Sequence, residues 1–382
     1  MMTGLSPLTD RLPPEQGRQC RAFLCVRDEA DRLPYLLSYY RSIGVQWFFI
    51  IDDRSTDSSA DYLRVQPDCS VFTTSGDFGG ANFGMDWINA LLETYGTDHW
   101  CLFVDADELL VYPHVETLPL PALCDYLDRH GYEGIFAFML DMYSPVPVSE
   151  AVYVRGERFN DVCPLFDVDY QFRPRLRRPF GAAPFPPSEV VGGPRLRRFY
   201  PGFARSGAYG YALPRGLKKL RDSRIGRALA MRSWLGGTTS PPLLSKMPLI
   251  LGAPGRRWVS NHKTTPLRLA PITGVLLHYK FFSDFHGRVI KALEQGQHFD
   301  GGSEYGRYAS ALKSDPKLCF AHPESHHYRS SADLTMPGLL HTSSDYEAFC
   351  LEQAAPRGYH LAAGDAAGSV AAEGAAAKSI AE

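Results

Sequence analysis

No stretch of the 382 residues approaches the roughly 18 to 20 consecutive apolar side chains that span a bilayer, and no basic-then-apolar leader pattern precedes Cys20. Membrane insertion and secretion are therefore not expected, and the expected location is the cytoplasm. Net charge is nearly absent too, with 40 Lys and Arg against 42 Asp and Glu. Such a balance gives no general affinity for nucleic acid, and no nucleic-acid-binding motif accompanies it, so no nucleic-acid partner is expected. The eight cysteines include no Cys-x-x-Cys pair. Buried reduced thiols are expected, not a disulfide frame or a zinc site. Internal repeats are missing as well. What remains, with 45% hydrophobic residues, is enough for a substantial core in one large domain or two ordinary ones.

The informative stretch is Trp100-Cys-Leu-Phe-Val-Asp-Ala-Asp-Glu-Leu-Leu-Val-Tyr-Pro113. A short apolar strand of the kind buried on both faces ends there on Asp105, Asp107 and Glu108. Ligands of open α/β sheets bind at the carboxyl ends of strands. If the backbone stays extended, Asp105 and Asp107 point to the same side and can face one divalent cation, whose shell substrate phosphates would complete. Glu108 is expected to be a helix-start or turn carboxylate.

Upstream, Arg21–Val26 and Trp47–Ile51 are apolar strands, and the second also ends on carboxylates, Asp52 and Asp53. Helices are expected over Asp31–Ile43, Ala60–Val65 (capped by Thr56 or Asp57) and Phe83–Tyr95, with a third strand at Cys69–Thr74. Strand and helix alternate, which argues for parallel βαβ units. Further on, the pattern predicts a helix over Leu120–His130, a strand over Gly134–Leu140 ending at Asp141, and loops with short strands from Ser144 to Pro194. Apolar segments follow at Pro248–Pro254 and Gly274–Phe282, then a helix over Asp284–Gln295.

Four pieces carry a family resemblance: Val26-Arg-Asp-Glu29, Ile50-Ile-Asp-Asp-Arg-Ser-Thr-Asp57, Asn82–Asn89, and Phe103-Val-Asp-Ala-Asp-Glu-Leu109. Together they resemble the nucleotide-sugar glycosyltransferases of family 2. Gly192-Gly-Pro-Arg-Leu-Arg197, Leu244-Ser-Lys-Met-Pro248 and Leu276-Leu-His-Tyr-Lys280 are similar to later parts of the same branch. The resemblance implies an α/β fold of GT-A type, a Rossmann-like mixed sheet flanked by helices with a C-terminal helical or irregular extension. It also implies a nucleoside-diphosphate sugar donor, a Mn²⁺ or Mg²⁺ ion, and a saccharide, lipid-linked or protein acceptor in glycan or polysaccharide synthesis.

Carried over residue by residue, the resemblance has Asp53 accept a hydrogen bond from the donor's base, with Asp52 beside it. Cys25, Arg27 and Glu29 line the nucleotide pocket. Asp107 becomes the principal metal carboxylate and Asp105 a ribose or metal contact. His278 is a candidate metal ligand, His262 competes with it, and Lys280 is placed to bind the diphosphate. The Glu-Asp pair that usually supplies the base is not visible, so Asp141 and Glu189 both stand as candidate bases. Two other readings stay open: a nucleotide- or carbohydrate-binding protein without turnover, and a glycoside hydrolase.

The expected organisation is a loose tail over 1–19 and a transferase domain over 20–290. Its nucleotide-binding half covers 20–115 and its acceptor half 116–290. An extension over 291–353 and a disordered tail over 354–382 follow. A basic insertion spans about 173–235; from Arg173 to Arg232 there are fifteen Lys or Arg against Glu189 and Asp222. Its segment 216–235 looks like a basic amphipathic helix suited to peripheral contact with an anionic membrane.

Overall fold

The computed structural model describes residues 4–14, 17–175, 185–201, 241–295 and 303–354. The basic helix expected over 216–235 and all but the first residue of the 354–382 tail lie outside them. Among the described residues no helix is long and apolar enough to cross a membrane.

Ten strands form one mixed sheet: β1 (Leu5–Pro7), β2 (Cys20–Val26), β3 (Trp47–Asp52), β4 (Cys69–Thr74), β5 (Trp100–Phe103), β6 (Glu108–Val111), β7 (Gly134–Asp141), and later strands at Ser245–Lys246, Leu249–Leu251 and Leu269–His278. The order across the sheet is β1, β4, β3, β2, β5, Leu249–Leu251, β7, Leu269–His278, β6, with Ser245–Lys246 paired to β7. β2 pairs in parallel with both β3 and β5, and β3 with β4. Every side chain of β3 is buried, as its unbroken apolar run requires of a central parallel strand. Helices α1 (Leu33–Ser42), α2 (Ser59–Arg64), α3 (Met85–Tyr95) and α4 (Leu120–Arg129) follow the strands. Alternation divides the core: Phe48 and Ile50 pack with Leu36, Leu37 and Leu123 of α1 and α4, and Phe49 and Ile51 pack with Ile88 and Leu91 of α3.

Three expectations need correcting. The first residues are not all loose tail, because Leu5–Pro7 pairs antiparallel with β4 and the Leu8 amide donates to the Val71 carbonyl. The chain also does not stay extended through Asp105-Ala-Asp107. It turns there, with the Glu108 amide donating to the Asp105 carbonyl at 3.1 Å. Glu108 then opens β6, which crosses to the far edge of the sheet and runs antiparallel to Leu269–His278. Finally, that late strand begins five residues before Gly274, because Leu269 already pairs with Gly134 of β7.

Candidate active site

The carboxyl ends of β2, β3, β5, β7 and Leu269–His278 lie along one edge of the sheet, and β6 begins there. Strands are roughly 4.8 Å apart, so Asp53 after β3 and Asp105 after β5 lie on either side of the end of β2. The Cys25 thiol there is pushed up by burial and by Asp53, Asp105 and Asp52 together, which puts all three carboxylates around one sulfur. The tips of the second and fourth expected strands thus open on the same side of the molecule.

The turn after β5 separates the two aspartates instead of aligning them. Asp105 Oδ2 accepts from Lys246 Nζ at 2.7 Å. The same ammonium lies 2.5 Å from both Glu108 oxygens, and Glu108 Oε2 in turn accepts the Asp105 amide at 3.0 Å. Glu108 is fully buried and Lys246 is 1% exposed. Burial raises the Glu108 carboxyl to about 7, against the pull of Lys246. Lys246 is pushed up, because Asp105 and Glu108 outweigh its burial. Glu108 is therefore a turn carboxylate, as expected, closing the turn after β5 through the Asp105 amide, and it is also half of a buried ion pair.

Asp107 faces His278. Its Oδ2 lies 3.6 Å from His278 Nε2, and the opposite ring nitrogen, Nδ1, is 2.7 Å from Asp141 Oδ1. Asp141 Oδ2 accepts from Arg195 Nε at 2.6 Å, and its amide donates to the Tyr170 hydroxyl at 3.1 Å. Burial favours the neutral Asp141 carboxyl, but Arg195 and His278 outweigh it and lower its pKa. An ionised Asp141 can only accept, so Nδ1 carries a proton and Nε2 is the ring nitrogen turned toward Asp107, with a lone pair to offer only when it carries no proton. Asp107 is held at about 2, since His278, Arg288, Arg32 and Lys280 outweigh its burial. As a candidate base Asp141 has no free oxygen: it is fully buried and both oxygens are taken.

Arg195 is delivered by α5 (Gly193–Phe199). Gly193 has φ 68°, and an added Cβ would meet the Tyr170 hydroxyl at 2.2 Å, so only glycine fits where the turn passes under Tyr170. Arg195 Nη1 reaches Glu304 at 3.5 Å, and Lys280 Nζ lies 5.0 and 5.2 Å from the ring centres of Tyr305 and Tyr308. The stretch expected as an extension thus supplies groups to this site. Its neighbours Glu304 and Asp107 help raise Lys280 despite burial.

On the nucleotide side, Asp53 is 3% exposed and closed by cations. Arg54 Nη2 donates to its Oδ1 at 3.1 Å, and Arg27 Nη1 lies 3.6 Å from its Oδ2. Burial nonetheless raises its pKa. Asp52 takes the Ser55 amide on Oδ2 at 3.2 Å, while its Oδ1 is buried with no hydrogen-bond partner among the described residues; Arg27 Nε is in the same state. Glu29 pairs with Arg288 and with Arg32 at 3.5 Å, and it is close enough to feel Asp107. Asp57 knits the two loops, accepting Ser59 and Ala30 amides at 2.9 and 3.0 Å.

Glu189 sits on the hairpin Gln171–Pro174/Ser188–Val191, where Oε1 pairs with Arg175 Nε at 3.1 Å. It too is committed to a cation. His262 Nδ1 donates to the Ser245 carbonyl at 3.0 Å, and burial with Lys246 nearby lowers its pKa to about 4, so its ring stays neutral. Among the described residues no three His, Cys, Asp or Glu side chains form a ready cage for a metal. Lys246, Arg195, Arg288 and Arg32 are the functional-site residues that sequence reasoning did not assign. Lys246 had a signal, standing alone in the apolar run Leu243–Leu251. A lysine there must find a carboxylate.

No known protein family and no curated protein matches the sequence. Among solved structures, a mannosyltransferase of Pyrobaculum calidifontis in complex with GDP-Man and Mn²⁺ is 14% identical, with a TM-score of 0.28 over 90% of this chain and 82% of that one. A UTP-bound UGPase of Acinetobacter baumannii is 8% identical, with a TM-score of 0.25 over 89% and 100%. A 4-diphosphocytidyl-2C-methyl-D-erythritol synthase is 16% identical, with a TM-score of 0.23; 34% of this chain spans 64% of that protein's length. TM-scores this low leave the functional argument to the side chains themselves.

Proposed function

We propose that the chain is a metal-dependent glycosyltransferase that takes its sugar from a nucleoside-diphosphate sugar. The observation that carries this reading is the line Arg195–Asp141–His278–Asp107, which fixes one imidazole nitrogen and one carboxylate oxygen 3.6 Å apart at the edge of the sheet. A carboxylate backing a histidine is the usual way to orient a metal-ligating ring. One carboxylate and one imidazole suit Mn²⁺ better than Mg²⁺, a harder ion that prefers oxygen ligands; either would complete its shell with water and phosphate. When bound, such an ion would neutralise charge developing on the departing diphosphate.

The chain's own groups have distinct tasks in this reading. Asp107 and His278 are the metal ligands, and Asp141 holds the ring's tautomer while Arg195 neutralises Asp141. Asp105, steadied by Lys246, faces the ribose. Lys280 and Arg288 bring positive charge to the diphosphate. Asp52 Oδ1 and Arg27 Nε, buried without partners, are an acceptor and a donor left for the nucleoside. A buried polar atom left unmade costs about 1–3 kcal/mol, which a ligand would recover.

One observation favours a second reading, a nucleotide-binding protein without turnover: both candidate bases, Asp141 and Glu189, are already ion-paired. Mass spectrometry of UDP- and GDP-sugars incubated with the protein and Mn²⁺ separates the two. Release of nucleoside diphosphate that stops with EDTA and returns with Mn²⁺ is the expected result. Tight nucleotide binding with no release would establish the binding protein, and release indifferent to EDTA would remove the metal.

A further inference from the structure

A cavity of about 350 Å³ lies on the other face of the strands that carry His278 and Glu108. Glu108 pairs with His278 and Leu109 with Leu277. Successive residues of a strand point to opposite faces. Leu109 and Leu277, which line the cavity, therefore turn away from Glu108 and His278.

Four tyrosines line this cavity, Tyr35 and Tyr39 from α1 with Tyr279 and Tyr328, together with Arg158 and Asn160. Their hydroxyls converge: Tyr328 is close enough to feel Glu116, Tyr35 and Arg158, and Tyr279 to feel Tyr328, Tyr35 and Arg158. Tyr39 donates to the Leu110 carbonyl at 2.6 Å and Tyr279 to Asn160 Oδ1 at 3.3 Å, while Asn160 Nδ2 donates to the Tyr328 carbonyl at 3.1 Å. The network thus fixes the walls by committing the Tyr39 and Tyr279 hydroxyls to Leu110 and Asn160. Tyr328 is 8% exposed, and its hydroxyl makes no hydrogen bond among the described residues.

The charge of the lining decides the ligand class. Arg158 and Arg329 are the cations and Glu116 the anion, with Glu116 already taken by the Ser331 amide and hydroxyl, both at 2.6 Å. No cluster of one sign is present to hold a polyphosphate. Tyrosine side chains combined with amide and guanidinium groups match a neutral polyhydroxyl ring. The volume falls at the lower end of the roughly 300–1,000 Å³ of small-ligand pockets, room for one or two sugar rings.

We propose that this cavity is a saccharide-binding site separate from the Asp107–His278 edge. The proposal does not depend on what reaction that edge performs. Saturation-transfer NMR on the full chain tests it, with millimolar glucose, galactose, mannose, N-acetylglucosamine and their disaccharides as probes and uridine and guanosine as counter-probes. At least one sugar should receive saturation, and Tyr328→Phe and Arg158→Ala should each cut the signal at least 5-fold. The Phe variant keeps the ring, and the Arg158 side chain is 63% exposed, so neither change threatens the fold. Asp107→Asn should leave the sugar signal intact. The proposal is overturned if no sugar receives saturation, if the signal survives either cavity substitution, if it disappears with Asp107→Asn, or if only the nucleosides bind there.

Discussion

Asp107→Ala is expected to lower metal-dependent release of nucleoside diphosphate by at least about 10²–10³-fold, the scale of removing one preorganised electrostatic group from an active site. Asp107 is the partly accessible carboxylate, 18% exposed along its side chain, that faces His278 Nε2. His278, Arg288, Arg32 and Lys280 hold it ionised in spite of burial, so across neutral pH it is a permanent negative charge. Its backbone role is untouched by truncation, since the Tyr279 amide bonds to the Asp107 carbonyl at 2.8 Å, not to the side chain. The variant should therefore fold, with an unchanged circular dichroism spectrum and a melting temperature within a few degrees of wild type. Turnover above a third of the wild-type rate in that folded variant would remove Asp107 from the machinery.

Lys246→Met is expected to cost about 3–5 kcal/mol of stability, the usual penalty for stripping the partner from a buried charge. Lys246 is almost wholly enclosed, its ammonium shared by two Glu108 oxygens and Asp105, with the Phe103 ring 5.8 Å away. Once the ammonium is gone, Glu108 is fully buried without a cation, and its carboxyl, which burial already raises to about 7, takes up a proton at neutral pH. Urea denaturation at pH 7.5 measures the loss. Combining Lys246→Met with Glu108→Leu should recover much of it, because two apolar groups replace a broken ion pair. A single-variant loss below about 1 kcal/mol, or a double variant less stable than Lys246→Met alone, would show that the pair does not hold the turn after β5.

The parts of the fold legible in the sequence are those written in apolar runs. β2, β3, β4 and β7 fall within a residue or so of the expected boundaries, and β3 and β7, buried at every position, carry no polar residue until the aspartate that ends them. β6 was hidden: Glu108-Leu-Leu-Val111 is too short to show a period, and its partner strand lies more than 150 residues later in the chain. β1 was hidden for the same reason, a three-residue edge strand having almost no pattern of its own. At the candidate site, Asp53, Asp105 and Asp107 stand out as carboxylates at strand ends against apolar surroundings, while His278 was singled out by the family resemblance. Their partners could not. That Asp141 serves His278 instead of an acceptor depends on Arg195, 54 residues away, and that Asp105 belongs with Lys246 depends on a contact 141 residues away.

Whether Asp107 and His278 take one cation together is settled most directly by pulsed electron paramagnetic resonance of Mn²⁺ bound to the protein. A ¹⁴N modulation from one imidazole is predicted, lost in His278→Asn and kept in His262→Asn. Bound Mn²⁺ with no nitrogen coupling, or a coupling that survives without His278, would contradict the account.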